Sequence, residues 1–342
     1  MNTLINIIVI ASLSTVTFAT DVRRLTMEGR KMKAKDVQLL EKKISEDSND
    51  ILSRTKLLGY YFRKQYQNQS AREAKQKHVL WLIMNAPASE VLGVPEGSID
   101  AILNAEAYAE GKKVWIDQIN KKPTNLKVLE HSSKFFQIHD RELAKKSLQM
   151  GQSLDLDDPK WPAALGHLYM LSMITNSSKK QTEIAREALG QFETAYKLST
   201  KMERDPLLQY LTKTALAAND LKKAKEYAEI MLSQNSPGWN DGNNIHHANI
   251  VLGRIAIRSD HIQKAKECLI IAGKTPGSPQ LNSFGPNMSL AKELLQKGEK
   301  EVVLKYFKLC SKFWKMGKER LDKWSADVKG DKMPNFGASL IY

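Results

Sequence analysis

Residues 252–279 read LGRIAIRSDHIQKAKECLIIAGKTPGSP. Leu252-Gly253 sits in an apolar run of helical period. Ala265 follows 13 positions later, and Leu269 and Ala272 extend a second apolar face before Pro276 and Pro279. The spacing recurs as Leu211 with Ala224, Leu290 with Val303 and, more loosely, His131 with Ala144. Small side chains at fixed offsets let two antiparallel helices approach closely and leave a surface on which the next pair stacks. Alternating β-branched runs of useful length are missing, so strands are not expected.

These pairs resemble the tetratricopeptide repeat (TPR) superfamily. The resemblance implies an all-α fold, a right-handed α-solenoid of about five to seven stacked helical hairpins. It also implies a protein that binds rather than transforms, with the first helix of each pair lining a groove. Length and composition agree. A chain of 342 residues, 42% hydrophobic, would split into separate cores as a conventional globule, whereas an array buries each repeat only on its neighbours.

Working outward, residues 1–19 read as an export signal. Leu4 to Val16 is apolar or small, and Thr17-Phe18-Ala19 suits a signal peptidase. No Lys or Arg precedes the apolar run, and an uncleaved anchor is the other reading, although about 15 apolar residues is short for a span of ~20. An exported chain, periplasmic or secreted, is expected. Residues 20–35 (Arg23, Arg24, Arg30, Lys31, Lys33, Lys35) are expected to be a basic flexible arm. Residues 36–120 form a divergent helical region with helices near 51–65, 71–84 and 100–120. The clearer repeats fill 121–316, and 317–342 are a capping helix and a tail whose apolar end folds back. The 277–288 loop (GSPQLNSFGPNM) and the PNFGA tail also resemble a group of bacterial exported TPR-like proteins, a resemblance that brings no activity with it.

Residues for chemistry are sparse. HExxH, GxSxG, the P-loop pattern and a strand-then-GxGxxG are missing. Asp155, Asp157 and Asp158 lack the glycine and terminal glutamate of a calcium loop and read as helix caps. Cys268 and Cys310 are either buried small hydrophobes or a disulfide, and without a CxxC they do not suggest zinc. No catalytic residue, cofactor or metal is expected.

Two surfaces remain. Two positions after each repeat's leucine or its equivalent stand Tyr60, Ser133, His167, Lys213, Arg254 and Lys292, with Lys56, Arg63 and Lys160 on the same expected face. This column reads as a basic groove. The second surface is a loop edge where Gly/Asn-rich stretches feed helix N-termini, with Asp241, Asn243, His246, His247, Asn282 and Asn287; turns and caps explain most of it. His246 and His247, being adjacent, point about 100° apart on a helix and do not readily share a metal. The net charge of +14 favours an acidic protein or peptide, or an anionic envelope component. Export and the lack of a recognition motif weigh against nucleic acid. The expected function is therefore an exported scaffold holding an acidic peptide or protein segment; the alternative is a hydrolase or lyase acting on an envelope polymer at the loop edge.

Overall fold

A computed structural model describes residues 21–174, 178–234 and 240–340. The expected export signal and Trp239 lie outside them. The described residues are helical with no strand, and the chain divides into two compact units, one ending at Leu156 and one beginning at Asp157. Both are built from consecutive helical hairpins, so the fold is all-α and TPR-like.

The N-terminal unit holds α1 (21–31), α2 (Ala34–Glu46), α3 (Ile51–Lys64), α4 (Gln69–Asn85), α5 (Ala105–Lys121), α6 (Leu126–Phe136) and α7 (Arg141–Leu154). Asn and Asp side chains start most of these helices. Asp50 accepts from the Ser53 N–H, Asn68 from Ala71, Asn104 from Ala107 and Asn125 from Val128, each filling one orphan donor of a first turn. The Asn104 cap is why α5 begins at Ala105 rather than at 100.

The expected flexible arm is instead a packed helix. Leu25 and Thr26 are buried, and α1 crosses α3 through glycines. A Cβ on Gly29 would stand 1.9 Å from the Lys56 carbonyl oxygen, and one on Gly59 2.1 Å from that of Thr26. Two of its basic residues are paired: Arg24 with Asp21 and Glu28, Arg30 with Glu96 at 2.6 Å. The expected boundary near 120 also moves. The α6–α7 hairpin belongs to the N-terminal unit, where Tyr108 of α5 stacks on Phe135 of α6 (centroids 4.9 Å apart) and donates its hydroxyl to Asp140.

The C-terminal unit holds α8 (Lys160–Met173), α9 (Ser178–Leu198), α10 (Lys201–Ala217), α11 (Leu221–Ser233), α12 (Asp241–Arg258), α13 (Ile262–Gly273), α14 (Pro279–Phe284), α15 (Ser289–Gln296), α16 (Lys300–Cys310) and α17 (Lys318–Lys329). Each 13-residue spacing joins the first helix of a hairpin to its second: α10 to α11, α12 to α13, α15 to α16 and, in the other unit, α6 to α7. Leu211, Ala224, Ala265, Leu290 and Val303 are fully buried, while Leu252 is only partly so. Cys268 and Cys310 are buried free thiols within one cluster formed by α12, α13, α15, α16, α17 and the tail. The tail folds back: Phe336 packs on Trp324, whose indole N–H donates to the Asn335 carbonyl, and the Met288 N–H donates to the Ser339 carbonyl.

Candidate functional site

In the C-terminal unit, three members of the expected column come together. His167 of α8, Lys213 of α10 and Arg254 of α12 line one cavity of about 640 Å³. The helical period explains the convergence. Leu165 and Leu211 bury into their own hairpins, so the side chain two positions on, some 200° around the helix, emerges on the opposite face. Successive first helices then present His167, Lys213 and Arg254 side by side. Met170 of α8, Ile174 just past its end, Ile250 and Val251 of α12, and Leu340 of the tail supply hydrocarbon, and Ser289 opens α15 at the wall. Among the described residues, the lining contains no aspartate or glutamate.

The three basic residues differ electrostatically. Burial pushes the Lys213 ammonium down to about 8, so it is still charged at neutral pH but at a desolvation cost. Arg254 places Nε and Nη2 each 2.7 Å from Glu293 Oε1, which balances its charge. His167 lies edge-on to Tyr210 (4.4 Å) and Phe192 (5.1 Å), and desolvation favours its neutral form. The apolar wall escaped the sequence reading because its residues carry the ordinary helical period of a core. The available signal was proximity: Met170 stands three positions after His167, and Val251 three before Arg254.

The other column residues lie elsewhere. Lys292 is half-buried on α15 and is not part of the lining, and Lys160 pairs with Asp158 at 2.8 Å. Lys56, Tyr60, Arg63 and Ser133 belong to the N-terminal unit. There Lys56 pairs with Glu28 (2.9 Å), Tyr60 accepts from Lys64, Arg63 donates to the Arg30 carbonyl, and Ser133 donates to the Glu130 carbonyl.

The loop edge is a latch between α12 and the segment 275–289. His246 is fully buried; its Nε2 accepts the Asn287 backbone N–H at 3.0 Å, so the proton is on Nδ1, which donates to the Ala272 carbonyl at 3.1 Å. Burial pushes its pKa down to about 4. The neighbouring His247 is aimed differently, lining the cavity, with its pKa also lowered by burial and by Lys213. Ser278 donates to Asn243 Oδ1 (2.7 Å), Thr275 to the Gly242 carbonyl (2.7 Å) and Tyr306 to the Asn287 carbonyl (3.0 Å), while the Asn287 side chain accepts from the Ser289 N–H. Asp241 is the half-buried first residue of α12, and Asn282 is exposed. His246 and Asn287 thus hold backbone together. Among the described residues, no group of three or more His, Cys, Asp or Glu is placed to hold a metal ion. Nor, among those residues, is any helix long and apolar enough to cross a membrane.

No family model and no curated protein matches the chain. Among solved structures, the chain is similar to that of a study entitled "Functional Characterization of Pseudomonas Aeruginosa pilF", at 12% identity and a TM-score of 0.39. The match covers 75% of this chain and 99% of that one. The hairpin architecture described above rests on this chain's own packing and spacing.

Proposed function

We propose that this chain is an exported interaction scaffold that holds an acidic segment of a protein partner against the first-helix face of its C-terminal unit. One observation carries the reading: His167, Lys213 and Arg254 converge from three successive first helices on a cavity with no aspartate or glutamate among its described lining residues. A carboxylate arriving at such a basic face gains charge-assisted hydrogen bonds. The net charge of +14 adds long-range steering toward acidic partners or an anionic envelope component. Export is supported by the apolar stretch Leu4–Val16 and the Thr17-Phe18-Ala19 junction; the mass of the chain recovered from its host tests it. The enzymatic alternative has less support, since both ring nitrogens of His246 are engaged by backbone groups.

The test is capture of partners from the host's envelope fraction at low and raised salt, using the wild-type chain beside a Lys213→Met variant. A partner held by the wild type and lost by the variant is the expected result. The same partners on both proteins at every salt concentration would overturn the reading.

A further inference from the structure

Two second helices of the C-terminal unit, α13 and α16, lie side by side and run in the same direction. Lys266 Nζ stands 2.7 Å from Glu299 Oε2 near their N-terminal ends. About two turns further on, a Cβ at Gly273 would meet Tyr306 and Leu309. A groove of about 850 Å³ runs along the pair, and its lining shares no residue with the cavity lined by His167. The middle of the groove is apolar: Ile270 and Val302 are half-buried and Ile271 is 44% exposed. Its ends differ in sign. Glu267 and Glu301 stand on the N-terminal side of that middle, Lys274 and Lys305 on the C-terminal side, all four exposed. Other lining charges are tied locally, Lys266 to Glu299 and Lys300 to Asp331, and Glu267 reaches Lys264 of its own helix at 3.5 Å.

Ile270 and Ile271 sit midway between Glu267 and Lys274, and Lys305 lies one turn beyond Glu301. A half-revolution about an axis crossing both helices at this level exchanges the two ends. The glutamates of one copy then fall on the lysines of the other, and isoleucine meets isoleucine. Parallel docking would set like charges opposite each other. A face that complements itself in this way is what a closed two-fold pair requires. The chain as a whole carries +14, but this groove holds four lysines and three glutamates, so two copies meet here with little local repulsion.

We propose that a second copy of this chain docks on the α13–α16 face with its helices reversed, Glu267 against the other copy's Lys274 and Glu301 against its Lys305. With α13 12 residues long, the face measures about 18 Å by roughly 20 Å, the width of two helices. That is well below the ~800 Å² per partner of a standard interface, so the pair is weak and forms in the micromolar range. The first helices take no part in it, so its loss leaves capture of an acidic partner unchanged.

Sedimentation equilibrium of the full chain, up to several hundred micromolar, reads the association. The wild type is expected to be a monomer–dimer mixture at low salt that shifts toward monomer as salt rises. Glu267→Lys and Lys274→Glu each turn two attractive contacts into repulsive ones, and each alone should weaken the dimer roughly ten-fold or more. Mixing the two variants should restore association, because each supplies the charge that the other lacks across the two-fold. The double variant should associate as the wild type does, and melting temperatures check that these exposed substitutions leave the fold intact. A wild type that stays monomeric, or a dimer indifferent to both reversals, would overturn the inference. So would single variants that weaken the dimer while neither the mixture nor the double variant recovers. A monomeric wild type whose Glu267→Lys variant loses a captured partner would assign the groove to that partner instead.

Discussion

Acidification should release the latch that His246 makes. In the native chain its Nε2 accepts the Asn287 N–H, so a second ring proton would set two donors against each other in a dry site. Burial takes the imidazole from its ordinary 6.5 to about 4. The unfolded chain therefore binds a proton below pH 6.5 that the folded chain refuses until about pH 4. Stability is fully present above 6.5, falls through that window and levels off below it. At 1.36 kcal/mol per pKa unit, this one residue accounts for a loss of about 3 kcal/mol. His247, shifted the same way, adds to it. Urea unfolding of the wild type and His246→Gln at several pH values between 7.5 and 4 measures the effect, since the remaining histidines are common to both chains. The expected result is a pH slope for His246→Gln shallower by up to one proton. Superimposable profiles, or an NMR titration of His246 near 6.5, would refute the argument.

Other consequences follow from the same packing. Lys213→Met should stabilise the chain at pH 7 by on the order of 1–3 kcal/mol, because the native ammonium is depressed to about 8 from 10.5. The gain should shrink as pH rises from 8 to 10.5, where the wild-type lysine becomes neutral in both states, and thermal melts at pH 7 and 10 check the sign. Gly59→Ala would drive its Cβ to 2.1 Å from the Thr26 carbonyl oxygen, forcing α1 off α3, and limited proteolysis should then cut within 21–31 before the rest of the unit. Gly253→Ala would meet Leu290 Cδ2 at 2.3 Å, and overpacking of that kind costs about 1–3 kcal/mol, read as a lower urea midpoint. Cys268 and Cys310 are buried with thiol pKa values raised by desolvation, so a thiol reagent should label them only after denaturant is added.

The hairpins were legible because their signal is local. Leu211 and Ala224, or Leu290 and Val303, lie close in sequence and bury against each other's helices. The arm was misread because α1 has almost no apolar stripe. It attaches through two glycine-to-backbone contacts, the single buried Leu25 and ion pairs such as Lys56–Glu28 and Arg30–Glu96, and a crossing made that way leaves no hydrophobic run to count. The unit boundary was missed for a related reason: the Tyr108–Phe135 stack that ties α6 to α5 is a tertiary contact between aromatics that look like ordinary core. At the candidate site, the offset two residues past each leucine did gather His167, Lys213 and Arg254. What it could not show was that Arg254 meets a glutamate 39 residues away, or that adjacent histidines divide between a latch and a cavity wall. Those outcomes depend on which helix packs next to which, information carried by the assembled hairpins and not by any one stretch.

The central claim is that a partner lies on the first helices of the C-terminal unit. Hydrogen–deuterium exchange of the chain, alone and with its captured envelope partner, tests that most directly. The account predicts slowed exchange in α8, α10 and α12 around His167, Lys213 and Val251–Arg254, with the second helices α11, α13 and α16 unchanged. Protection confined to those second helices, or to the N-terminal unit, would contradict it.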